Sequence, residues 1–251
     1  MSPWVIKGIR TGIKTSAYPR NAETAAGVTP GLPVSSQMDT GAARALVDIC
    51  PTQVFTIING RVNVDVDRCI HCYRCVRGVE QPARWDSTYE WGVESNQKKN
   101  LLPAFRKSIN ICVVDAGDCG SCLNEVRQLS SPYYNIHRLG FFITPTPRHA
   151  DVLLVVGPGT DHMSLALQKI YNAIPTPKRV VAAGVCALSG GVFAESFTCS
   201  EGVTDILPVD VEVPGNPPPP LAILHGLLVA AGRKPPVDLQ PGSSQANATG
   251  E

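Results

Sequence analysis

The chain has little charge and no long apolar run. Charged residues make up 17% of its 251 residues, and the net charge of +1 provides no basic stripe for a nucleic acid. Its apolar stretches, such as those within 151–156 and 221–224, fall short of the roughly 18 residues that cross a bilayer. The N-terminus lacks the apolar segment of a secretory signal. We therefore expect a cytoplasmic protein, whose cysteines bind metals more often than they form disulfides.

Cysteine, by contrast, is abundant and clustered. Five of the nine cysteines form two motifs with two-residue spacing, Cys69-x-x-Cys72-x-x-Cys75 and Cys119-x-x-Cys122. Thiolates at this spacing are typical ligands of iron–sulfur clusters. The motifs therefore predict electron-transfer chemistry.

The first motif resembles half of a bacterial two-cluster ferredoxin. In such proteins the cysteine of a Cys-Pro pair ligates the cluster of the other motif, and Cys50 is followed by Pro51 one hairpin upstream of the triplet. The ligands of the other cluster are missing, with residues 36–40 in place of one triplet and Val79 in place of the second Cys-Pro. We predict one [4Fe–4S] cluster bound by Cys50, Cys69, Cys72 and Cys75.

A zinc site or inert thiols is the alternative, because zinc-binding motifs also use two-residue spacing. His71 lies between two of the predicted ligands, and we interpret it as a solvent-facing loop residue rather than a ligand.

The sequence divides into five segments. Strands predicted at 108–114, 151–156 and 179–183 alternate with helices at 162–173 and 221–231, which indicates an α/β domain with an open parallel sheet. Ligands of such sheets lie outside the carboxyl ends of the strands, so Cys119, Cys122 and Cys186 should converge at that edge. The predicted segments are an extended arm (1–40), a small α+β ferredoxin-like domain (41–81), a linker (82–104), the α/β domain (105–232) and a disordered tail (233–251).

Four motifs in order give the α/β domain a family resemblance. They span Asp115–Glu125, Pro145–Leu154, Gly184–Gly191 and Pro208–Pro218. Over about 105–232 the chain resembles the small electron-transfer subunit of membrane-bound [NiFe] hydrogenases of the formate hydrogenlyase and energy-converting type, which is similar to the 20 kDa (B) subunit of complex I. This implies a flavodoxin-like sheet. The half-ferredoxin and residues 4–19 resemble the ferredoxin-type subunit of the same complexes, here fused in one chain.

The resemblance implies a second [4Fe–4S] cluster with four cysteine ligands. Cys119, Cys122 and Cys186 match three of the positions, with the spacing of hydrogenases, and Asn216 occupies the fourth. The fourth ligand is then Asn216, water or Cys199, or the cluster has three irons, or it is lost. Cys112 is predicted to be a core residue.

Two further residues fall within the family motifs. Glu125 lies one helical turn beyond Cys122, where the resemblance implies a role in proton handling or cluster surroundings; a first-turn carboxylate favoured by the helix dipole is the alternative. Arg148 is implied to approach the cluster and raise its potential.

The resulting hypothesis is an iron–sulfur relay. Electrons pass between the two sites, to or from a separate large catalytic subunit of hydrogenase or quinone-oxidoreductase type, because the chain holds no complete active site. Membrane-arm subunits would hold it peripherally at the inner face of the cell membrane. The alternative is a structural bridging subunit whose second site, with Asn216 in place of cysteine, is degenerate.

Overall fold

The computed structural model describes residues 2–95, 107–194 and 196–239. Part of the predicted linker (96–104) and most of the predicted tail (240–251) lie outside these ranges.

A six-stranded sheet forms the centre of the fold. Its strands are β5 (Val93–Glu94), β6 (Ile109–Asp115), β7 (Phe141–Ile143), β8 (Val152–Val156), β9 (Arg179–Ala183) and β10 (Val211–Val213), in the order β5-β10-β9-β8-β6-β7. All neighbours are parallel except β5, which pairs antiparallel with β10. The five parallel strands have the 2-1-3-4-5 order of flavodoxin. The predicted flavodoxin-like α/β fold is confirmed.

Helices cover both faces of this sheet. All residues of β8 and β9 are buried, which explains why these strands are apolar along their whole length. The helices are α4 (Ser121–Gln128) and α7 (Pro220–Ala230) on one face, α5 (Asp161–Ala173) on the other, and the short α6 (Val185–Ser189) after β9. Every residue of α7 is buried, so it lies at the centre of the larger core.

The cysteine triplet belongs to a small α+β unit that precedes the sheet. Helix α2 (Thr40–Ile49) begins at Asp39, whose carboxylate accepts hydrogen bonds from the Gly41 and Ala42 N–H groups. A hairpin follows, made of β2 (Phe55–Ile58) and β3 (Arg61–Val64), with α3 (Arg74–Arg77) after it. The predicted hairpin turn is confirmed, because Asn59 and Gly60 both have positive φ.

The segments predicted as arm and linker contain regular structure. The arm includes helix α1 (Pro3–Thr11) and strand β1 (Leu32–Pro33), and β1 pairs with β4 (Trp85–Asp86). Strand β5, which also falls in the predicted linker, joins the central sheet.

Helix α1 has no buried residue and exposes 75% of Trp4. Within the described ranges, no helix has both the length and the apolar character needed to span a bilayer.

Candidate iron–sulfur sites

The four cysteines predicted to bind the first cluster line one pocket. Cys50 ends α2, Cys69 ends the turn at Val66–Arg68, Cys75 lies in α3, and Cys72 lies between the last two. The remaining lining is mostly apolar or aromatic, with two polar residues, and comprises Thr52, Val54, Phe55, Ile70, Tyr73, Arg74 and Trp85. The structure therefore brings together all four residues predicted as ligands of the first cluster, in largely apolar surroundings.

The donors in this pocket fit an iron–sulfur cluster. The Trp85 indole N–H is buried and has no hydrogen-bond partner among the described residues, although its dipole favours the ionised form of Cys75. The inorganic sulfides and thiolate sulfurs of a cluster accept hydrogen bonds, so a bound cluster would satisfy this donor. The Val54 N–H already donates to Cys50 Sγ at 3.4 Å.

Burial favours the protonated form of two of these thiols, Cys69 and Cys75, in the absence of metal. It raises the pKa of Cys69 to about 12, partly offset by a hydrogen bond from the His71 backbone, and it raises the pKa of Cys75. Cluster binding must therefore displace protons from this pocket. Within the described ranges, no three His, Cys, Asp or Glu side chains are arranged for a single metal ion.

The loop between Cys69 and Cys75 is held in an uncommon conformation. His71 and Tyr73 have φ of 52° and 57°, which is rare for residues other than glycine. Tyr73 stacks on Trp85 with a centroid distance of 4.6 Å, and His71 stacks on Trp91 at 6.1 Å. The prediction that His71 faces solvent is wrong, because its ring is enclosed by aromatic side chains and bonded at both nitrogens.

The three cysteines of the second motif set meet at the carboxyl edge of the parallel sheet. Cys119 and Cys122 follow β6, and Cys186 follows β9. The charges of Cys119 and Cys186 raise the pKa of Cys122, and the charge of Cys119 raises the pKa of Cys186. Burial is the main cause of the raised pKa values of Cys122 and Cys186, the latter to about 11. Cys119 is exposed and marks the open side of the site.

Backbone geometry shapes this second site. Gly184 has φ of 98° and lies so close to Cys122 that a Cβ there would be 2.6 Å from the sulfur. The Asp118 carboxylate accepts hydrogen bonds from the Gly120 and Leu123 N–H groups, which fixes the turn into α4. A side chain at position 184 would overlap the Cys122 sulfur, so the loop after β9 needs glycine here to leave room for the thiol.

Asn216 and Cys199, the two predicted fourth ligands, lie in different surroundings. Asn216 Nδ2 donates to the Ile70 carbonyl at 3.1 Å, and the Asn216 backbone N–H donates to His71 Nδ1 at 3.0 Å. Cys199 pairs with Thr160 through an isolated β-bridge, and its sulfur is 3.8 Å from the Thr198 hydroxyl. The residue in the fourth position thus contacts the first cysteine loop.

Comparison with known proteins places these motifs in a family. The family model described as NADH ubiquinone oxidoreductase, 20 Kd subunit, matches residues 119–230. Over 117 residues the chain is 43% identical to the probable membrane-bound hydrogenase subunit mbhJ of Pyrococcus furiosus, covering 47% of this chain and 70% of that protein. This chain belongs to the 20 kDa subunit family.

Other relatives agree with this membership. Over 128 residues the chain is 45% identical to the uncharacterized protein MJ0516 of Methanocaldococcus jannaschii, covering 51% of this chain and 86% of that protein. Over 159 residues it is 36% identical to formate hydrogenlyase subunit 7 of Escherichia coli, covering 63% of this chain and 60% of that protein.

Among solved structures, a chain of the archaeal membrane-bound sulfane sulfur reductase is similar at 29% identity and a TM-score of 0.47, covering 51% of this chain and 71% of that one.

The two remaining residues predicted from the family motifs lie in different places. Glu125 is half-buried on α4, where burial raises its pKa, and its charge raises the pKa of Tyr134. Arg148 lies on an exposed turn just before β8. The structure does not bring Arg148 to the second site, because that turn is at the amino end of the strands whereas the cysteines follow their carboxyl ends.

Sequence reasoning missed the aromatic residues and the bonds that surround the first site. Trp85 and Trp91 fall in the predicted linker, where their only signal was an aromatic content unusual for a linker. Ser189 was also missed; its hydroxyl donates to the Asp67 carbonyl at 2.7 Å, and it lies three positions after Cys186.

Proposed function

We propose that this chain is an iron–sulfur electron-transfer subunit that relays electrons between its two cysteine sites and a separate large catalytic subunit. The observation that supports this most directly is the bonding of Asn216, beside the second site, to the loop that carries Cys69 and Cys72. Two thiol-rich sites joined by direct hydrogen bonds are what a relay needs.

The residues of each site have distinct tasks in this proposal. Cys50, Cys69, Cys72 and Cys75 would bind one [4Fe–4S] cluster, and Cys119, Cys122 and Cys186 a second. A bound cluster supplies reversible one-electron oxidation and reduction. Apolar walls exclude water from the first pocket, while the buried Trp85 N–H is positioned to stabilise added negative charge. Glu125 remains a proposed part of the second site's surroundings.

The partners follow from the relatives. Two of them are named as subunits of a membrane-bound hydrogenase and of formate hydrogenlyase. We infer a large catalytic subunit of hydrogenase or quinone-oxidoreductase type beside the second site. Membrane-arm subunits would hold the chain at the inner face of the cell membrane. The extents 41–81 and 105–232 remain our proposed domains.

Iron and acid-labile sulfide analysis of anaerobically purified protein tests the relay, together with electron paramagnetic resonance after reduction. Two clusters per chain are expected, one of them lost on Cys72→Ala and the other on Cys122→Ala. Colourless protein without sulfide would refute the proposal, and zinc without sulfide would establish the zinc alternative.

A structural bridging role is the second candidate, and Asn216 favours it because a neutral amide is a poor substitute for a thiolate. On this account the second site binds no iron. A single cluster that disappears completely on Cys72→Ala would establish bridging and exclude the relay.

A further inference from the structure

Asn216 donates two hydrogen bonds to the Cys69–Cys75 loop. The side-chain amide donates to the Ile70 carbonyl, and the backbone N–H donates to His71 Nδ1. The Ile70 carbonyl accepts only, so the amide nitrogen must face it. Asn216 nonetheless stays beside the second site, since Gly215 O is 3.7 Å from the Cβ position of Gly184, which itself adjoins the Cys122 sulfur.

The His71 ring is oriented to accept the hydrogen bond from the Asn216 backbone. Its Nδ1 accepts the Asn216 N–H, so its proton is on Nε2 and is donated to the Gly31 carbonyl at 3.0 Å. The ring lies nearly parallel to Trp91, with an interplanar angle of 20°. Trp91 in turn lies against Gly215, where a Cβ would be 3.0 Å from the indole. Histidine and tryptophan thus fill the space between the two sites.

A second contact lies just before the same loop begins. The Ser189 hydroxyl donates to the Asp67 carbonyl at 2.7 Å and is also 3.2 Å from the Val185 carbonyl. Asp67 precedes Cys69 by two residues, and Ser189 lies on α6 with Cys186. One contact therefore precedes Cys69 and the other follows it, and each comes from a loop or helix of the second site.

We propose that Asn216 is a docking residue, which with Ser189 fastens the Cys69–Cys75 loop onto the second site, and that it is not a ligand. The docking itself involves only protein groups. Its consequence, a fixed separation between two redox centres, rests on the relay proposed above.

Hydrogen–deuterium exchange of the anaerobically purified full-length protein tests the docking, read in peptides covering 69–75. Asn216→Ala removes the side-chain donor and should speed exchange there about 2- to 10-fold, the range expected for one net hydrogen bond. Asn216→Asp should speed it at least as much, because a carboxylate oxygen would face the Ile70 carbonyl. Asn172→Ala, at an exposed position on α5, is the matched control and should change nothing.

Asn216→Asp also separates docking from ligation. A carboxylate is a better iron ligand than an amide, so ligation predicts that iron at the second site is retained or increased while exchange of the loop stays unchanged. Unchanged exchange in both Asn216 variants would overturn the docking proposal. If Asn216→Ala fails to fold, Ser189→Ala should loosen the same peptides from the Asp67 side, and unchanged exchange there would also overturn it.

The relay and the docking can fail separately. If both sites hold clusters, Asn216→Ala should weaken the magnetic interaction between the reduced centres while iron content stays constant. A protein that binds no iron ends the relay, yet the exchange experiment still tests the docking.

Discussion

Replacing Gly184 with alanine should disrupt the second site selectively. Gly184 has φ of 98° and ψ of 148°, a region that essentially only glycine occupies, and the strain costs about 1–3 kcal/mol. The new methyl group would also be 2.6 Å from the Cys122 sulfur. Cys122 is only 2% exposed, so its thiol has little room to move, and overpacking adds about 1–3 kcal/mol. Together these terms predict a loss of about 2–6 kcal/mol in unfolding free energy.

Gly60→Ala is the control for the backbone contribution. Gly60 also has positive φ, but nothing lies within 4 Å of its Cβ position, so about 1–2 kcal/mol of strain is expected and no overlap. Urea unfolding of both variants measures the stability difference, and iron analysis measures loading. Gly184→Ala should lose second-site iron while keeping the first cluster, and Gly60→Ala should keep both. Equal losses of stability in the two variants, with equal iron, would refute the reasoning.

Three further predictions test separate parts of the structure. Cys72→Ala should remove one cluster's iron, whereas Cys112→Ala, at a buried core position of β6, should leave the iron content unchanged; elemental analysis compares them. Burial lowers the pKa of His225 to about 4, so its contribution to stability is complete above pH 6.5 and is lost as the pH falls toward 4. At about 1.4 kcal/mol per pH unit, the loss of unfolding free energy approaches 3 kcal/mol. The variant His225→Gln keeps an acceptor for the Gly92 N–H but does not titrate in this range. It should therefore flatten the pH dependence of the urea midpoint. Arg179→Met removes the buried guanidinium 3.2 Å from Asp210 and should lower the unfolding free energy by about 3–5 kcal/mol. Adding Asp210→Asn in the same chain should recover part of this loss. If the effects of the two substitutions simply add, the account is contradicted.

The sheet and its carboxyl edge were predictable because their signals are strong and local. Buried parallel strands such as β8 and β9 are apolar throughout, and a cysteine that follows such a strand must lie at the carboxyl edge. Shorter elements carry no comparable signal. Strand β7 has three residues and only Phe141 is buried, while α6 is little more than one helical turn.

The contact between the two cysteine sites was not predictable, since it joins residues far apart in the sequence. Asn216 and Ile70 are 146 positions apart, and neither residue type indicates the other. His71 was misinterpreted for the same reason, because a histidine between two cysteines resembles a solvent-exposed loop residue until Trp91 and Asn216 are placed beside it. Arg148 was assigned by motif alone, without regard to the end of the strand at which it lies.

Strand β5 affects how the protein behaves when it is truncated to its α/β half. Although it has only two residues, it covers the outer hydrogen-bonding edge of β10, which would otherwise be open. A truncation beginning after residue 95 would leave Val211 and Glu212 without their β5 partners on an unpaired sheet edge, and such edges recruit strands from other molecules. The excised α/β half should therefore self-associate in solution, whereas the intact chain supplies its own protective strand.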